Sequence, residues 1–135
     1  MQTFWSVIKA IAIAIGGYLA WFFGGVDGVF IALCVFAVVD YITGVIAAIV
    51  EKKVDSKIGF KGIARKVLMF LIVGASAVLD RYVLGGDSPV REIVIVFYIA
   101  NEGISIIENS ARLGLPIPKK LIDVLQQLKN KGDGE

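Results

Sequence analysis

The stretch "IVIVFYIANEGISIIENSARLG", Ile93 to Gly114, opens like a membrane span and then places Asn101, Glu102, Ser105, Glu108 and Asn109 where lipid-facing residues belong. Whether it crosses a bilayer decides between three spans and four, and so decides on which side the C-terminus lies. On a helical wheel at about 100° per residue, with Tyr98 at the origin, Asn101, Glu102, Ser105, Glu108, Asn109 and Arg112 share an arc of about 120°. Ile99, Ile104, Ile106 and Ile107 fall outside that arc. The segment therefore reads as an amphipathic helix with one continuous polar stripe. An apolar residue near mid-span favours insertion by about 0.3–0.6 kcal/mol, whereas a central acid costs on the order of 3 kcal/mol. The helix is thus marginal alone, and its stripe must face other helices, another copy of itself, or water.

The rest of the chain sets the context. It has 135 residues, 57% hydrophobic and only 19% charged, with a mean hydropathy of +0.79, far above that of a soluble domain. Its apolar residues gather into runs close to the 20 or so that a helix needs to cross ~30 Å of hydrocarbon. The fold class expected is all-α, an integral membrane helical bundle of about four transmembrane helices plus a short C-terminal amphipathic helix.

The first run, residues 4–24, carries only Lys9, which can snorkel to the interface, and is bracketed by Trp5, Tyr18 and Trp21. It reads as a span rather than a cleaved signal peptide, because "GGVDG" (Gly24–Gly28) is a poor cleavage site with another long apolar run directly behind it. The second run, 29–50, has one charge, Asp40, near its middle. "EKKVDSKIGFKGIARK", Glu51 to Lys66, reads as a basic cytoplasmic loop carrying Lys52, Lys53, Lys57, Lys61, Arg65 and Lys66, with Gly59 and Gly62 expected to break any long helix. The third span is placed at 67–84, closed by "GGDSP", and the fourth at 92–110, ended by Gly114, Pro116 and Pro118. In the tail, residues 114–135, Leu121, Ile122, Leu125 and Leu128 share one face of a short amphipathic helix, read as an interfacial anchor or cytoplasmic contact surface.

Charge then orients the spans. With four spans and a cytoplasmic N-terminus, twelve basic residues lie inside and only Arg81 and Arg91 outside. A three-span arrangement would export Arg112 and the four lysines of the tail, against the positive-inside rule. Both termini are therefore expected in the cytoplasm, with residues 1–113 forming the membrane domain.

Chemistry is sparse. A single cysteine, Cys34, excludes an intrachain disulfide and a cysteine-built metal site, and histidine is absent. Asp40, Glu102 and Glu108 are carboxylates without a nucleophile elbow, a phosphate-binding glycine loop or metal-ligand spacing beside them, which argues against an enzyme and against a cofactor. In the second span Asp40, Thr43, Gly44, Ala47 and Glu51 share a face of small residues that lets another helix approach closely. Asp40 on that face is either a hydrogen-bonding group within the bundle or part of a water-filled path. The basic segment reads as a topology determinant in contact with anionic headgroups, not as a nucleic-acid site.

Two segments carry a resemblance. "DYITGVIAAIVEKKVDSKIGFKGIARK", from Asp40, and "NEGISIIENSARLGLPIPKKLIDVLQQL", from Asn101, resemble the toxin-secretion and phage-lysis holin family of bacteria and their phages. The likeness runs from about Val39 to Leu128 and rests on Asp40, Tyr41, Thr43, Gly44, Ser56, Lys57, Gly59, Lys61, Gly62, Asn101, Glu102, Ser105, Glu108, Asn109, Pro116 and Pro118. No motif of the family falls before Asp40. The resemblance implies a protein of the bacterial host's cytoplasmic membrane that forms homo-oligomeric lesions at a set time. Through them a cytoplasmic endolysin would reach the cell wall, or a large toxin would leave. It implies no catalytic residue and makes the stripe residues, with Asp40, Thr43 and Gly44, candidates for lining a pore or joining helices. Two other readings remain: a small ion-coupled transporter or channel using Asp40 or Glu102, and a membrane partner whose C-terminal helix recruits a cytoplasmic protein.

Overall fold

A computed structural model describes residues 1–134; Glu135, the last residue of the tail, lies outside the described residues. The chain is all-α: α1 (Gln2–Phe22), α2 (Gly28–Val50), α3 (Ser56–Tyr82), α4 (Val90–Arg112) and α5 (Lys119–Gly132). Three of these, α1, α2 and α3, are long and apolar enough to cross a membrane. α4 is as long as α2, but the charges and amides of its second half keep it out of that group.

The helix ends follow from local chemistry. Asp27 caps α2 by accepting the Phe30 amide at 3.1 Å, and Lys52, with φ +56°, takes the left-handed position that ends α2 while the Lys53 amide bonds back to the Ala48 carbonyl. The main departure from expectation comes next. Only Glu51–Asp55 is non-helical; Lys57, Lys61, Arg65 and Lys66 lie within α3, whose 27 residues begin eleven positions before the expected span. Asp55 starts the helix by accepting the Lys57 amide at 2.8 Å. Gly59 and Gly62 sit inside it without breaking it, because a glycine costs a packed helix only about 1 kcal/mol. The remaining helix ends lie within one or two residues of the expected ones.

The packing is uneven along the bundle. α2 and α4 make the most extensive helix interface, followed by α4 with α5 and α3 with α4. Phe30, Leu33, Ala37, Met69, Val73 and Ile95 form the apolar core, and Phe23, Phe30 and Phe70 stack with ring centroids 4.8–6.1 Å apart. This core fills the half of the bundle toward the Asp27 end. α1 stands apart, exposed from Met1 to Leu19. It meets the bundle at its last turn, where Phe22 lies on Gly74 and Trp21 packs against Tyr82.

Candidate functional site

Below the apolar core the interior turns polar. Lys66 on α3 reaches between α2 and α4, its ammonium 2.6 Å from Asp40 and 2.5 Å from Glu102. All three side chains are less than one-fifth exposed, at 18%, 13% and 14%. A lysine long enough to snorkel instead points into the bundle, because two carboxylates converge on it. Asn109 adds a second tier: its amide donates to the Asp40 carbonyl, the Asp40 carboxylate and the Thr43 hydroxyl at 3.0–3.2 Å. Gly44 faces this amide at close range: a Cβ there would stand in ordinary van der Waals contact, 3.5 Å from the Asn109 amide nitrogen. The small-residue face of α2 therefore meets α4.

Both ends of the α2–α4 pair are tied as well. At one end Arg91 grips the α1–α2 turn: its guanidinium donates to both Asp27 carboxylate oxygens at 2.8 and 3.1 Å and to the Phe23 and Gly25 carbonyls. Gly24, at φ +78°, fits beneath it, where a Cβ would collide with the Arg91 side chain. Asp80 of α3 accepts the Arg91 amide at 2.7 Å and so caps α4. At the other end Arg112 forms a two-point bond to Glu51 at 2.8 and 3.0 Å. These contacts hold Asp27 and Glu51 below their usual carboxylate ranges, in each case chiefly through hydrogen bonding to the arginine. α4 thus runs parallel to α2 from end to end.

The expected stripe divides in two. Glu102, Asn109 and Arg112 bond to α2 and α3 of their own chain. Asn101, Ser105 and Glu108 line an open crevice of about 500 Å³ between α3, α4 and α5, with Arg65 and Lys129 on its other walls and Glu102, Lys66 and Asp40 at its inner edge. Of the six basic residues grouped as a loop, Lys66 is drawn into the interior, Arg65 borders the crevice, and Lys52, Lys53, Lys57 and Lys61 stay exposed. Among the described residues no group of three or more His, Cys, Asp or Glu is placed to hold a metal ion.

Sequence reasoning missed the roles of four residues. Lys66 was hidden by its basic neighbours. Arg91 and Asp80 sit next to turns, and nothing local shows that they meet across the fold. Lys129 was assigned to a tail, although the i, i+3, i+7, i+10 spacing of Ile122, Leu125, Lys129 and Gly132 marks the side of α5 turned toward the bundle.

An apolar helical bundle with a buried polar layer defines a small membrane protein. The chain belongs to the bacteriophage holin family, which matches residues 17–130. It is 42% identical to an uncharacterized 14.9 kDa protein from the nagH 3′ region of Clostridium perfringens, across 97% of this chain and 99% of the relative. It is 37% identical to Lin0175 of Listeria innocua, across 88% and 84%, and 40% identical to YqxH of Bacillus subtilis, across 81% and 76%. No solved structure matches it.

Proposed function

We propose that this protein is a holin that accumulates in the cytoplasmic membrane of a bacterial host, oligomerises, and opens lesions that pass an endolysin or a toxin and so trigger lysis. One observation carries the reading beyond family membership. α4 is bound alongside the apolar span α2 at both ends and in the middle, yet keeps Asn101, Ser105 and Glu108 in an open polar crevice. A helix held at that depth with uncovered polar groups is stable only where protein or water meets them. On this reading α4 is the fourth span, and the N-terminus and the α4–α5 turn face the cytoplasm, with Lys57 and Lys61 on the first turns of α3 close to anionic headgroups.

The experiment is induction of the gene alone in a bacterium. Growth stops and the membrane potential collapses after a delay, and co-expressed endolysin then lyses the culture. Cells that keep their potential at high expression would sink the proposal. Replacing Glu102 with leucine leaves Lys66 paired with Asp40 and makes α4 more apolar; dye entry is then delayed or weakened, whereas unchanged timing would assign Glu102 to packing alone.

The triad also bears on the ion-coupled alternative. An acid pair serving a cation needs an accessible position between its carboxylates, and here the Lys66 ammonium occupies it. A transporter would show substrate-specific flux without cell death, abolished by Asp40→Asn or Glu102→Gln with assembly intact.

A further inference from the structure

α5 does not hang below the bundle. It folds back antiparallel along α4: Leu125 seats on Gly103, where a Cβ would lie 2.9 Å from its methyl carbon, and a Cβ on Gly132 would lie 2.6 Å from that of Phe97. Phe97 is seven residues into α4, and α4 runs level with α2, its ends fixed at Asp27–Arg91 and Glu51–Arg112. At about 1.5 Å per residue, α5 therefore climbs from the Arg112 end to within about 10 Å of the opposite end of α4. The face turned away from α4 carries Lys120, Asp123, Gln127, Asn130 and Lys131, all exposed. With α4 taken as the fourth span, charged and amide side chains directed outward at that depth are incompatible with surrounding acyl chains.

From these contacts we infer that the outer face of α5 forms the wall of the water-filled path between copies of this chain, while much of the polar stripe of α4 is spent inside the protomer. The inference rests on the holin reading for the existence of that path and on the α4–α5 seam for which residues line it. The crevice supports it independently. Lys129 projects from the opposite side of the same helix into a cavity shared with Glu102 and Glu108, so α5 has polar surroundings on its inner flank as well.

The test uses the full chain with Cys34→Ala, reconstituted into sealed vesicles of phosphatidylethanolamine and phosphatidylglycerol. The pair Phe97→Cys/Gly132→Cys reports where α5 lies, since only helices in contact bring two cysteines within bonding geometry. Single cysteines at Gln127, Asn130 and, as a lipid-facing control, Ile42 report what surrounds them through a charged, water-soluble thiol reagent. The expected result is a cross-link in the membrane, with positions 127 and 130 reacting at least about a hundredfold faster than position 42, because only a hydrated thiol ionises. A cross-link with slow reaction at 127 and 130 would put α5 against lipid and overturn the inference. Fast reaction without a cross-link would put α5 in the aqueous phase beyond the membrane, and would overturn it too.

Release of entrapped fluorescent dextran is scored separately. Its absence from vesicles of the otherwise unmodified chain would remove the holin reading while the two cysteine results still place α5. Where release occurs, the cross-linked pair still releases, and Gln127→Leu/Asn130→Leu/Lys131→Leu cuts release tenfold or more with the cross-link intact. Release lost on cross-linking, or untouched by the triple change, would show that α5 is not the wall.

Discussion

Lys66 holds Asp40 at 2.6 Å and Glu102 at 2.5 Å, so removing its charge leaves two largely buried carboxylates facing each other. Breaking a buried ion group from one side typically costs about 3–5 kcal/mol, because the abandoned charges keep their desolvation penalty. Lys66→Met is expected to lower the thermal midpoint of the protein in detergent accordingly, and Lys66→Met/Asp40→Asn/Glu102→Gln to recover most of the loss. Equal midpoints for the single and triple variants would show that the triad is not a coupled unit. At the Asp27–Arg91 clamp the sign of a pH effect is fixed. The Asp27 carboxyl titrates below the ordinary 3.8 in the folded chain, so its contribution is complete above that pH and is lost as the pH falls through the lowered value. Asp27→Asn should flatten that acid limb of the thermal-midpoint curve and leave neutral pH nearly parallel to the parent.

At the scale of elements, the seam between α4 and α5 depends on Gly103. A side chain there meets Leu125 on one side and Phe36 on the other, at 2.9 and 3.2 Å from its first carbon. Gly103→Leu is expected to cost about 1–3 kcal/mol of overpacking or to displace α5. Limited trypsin digestion checks it: cleavage at the lysines of α5 is expected to be faster in the variant than in the parent. α3 shows why element boundaries were only partly legible. Its apolar second half is evident from composition, but its first turns read as a loop because they are basic and contain Gly59 and Gly62. What makes them helical is the Asp55 cap and the partners that α2 and α4 present to Lys66, and a one-dimensional reading sees only the cap.

For the molecule as a whole, α1 is the loosely held part. Residues 1–19 are exposed, and the family match begins at residue 17, near where α1 first meets the bundle. Deleting residues 2–16 should leave α2–α5 folded, with a thermal midpoint in detergent within a few degrees of the parent, since such a shift corresponds to only about 1 kcal/mol for a chain of this size. A collapse of helical content would show instead that α1 is integral to the bundle.

The sequence by itself determined the solvent, the helices and the polarity of one of them. Runs of apolar residues near twenty long require a bilayer, and a 3.6-residue period separates the stripe of α4 from its isoleucines. Only the tertiary structure decided where that stripe points and what α5 does. The reason is that a wheel gives the direction of a side chain about its own axis and nothing about the neighbour on that side. Lys66 comes to Glu102 from 36 residues away, Arg91 comes to Asp27 from 64, and α5 returns along the helix it follows.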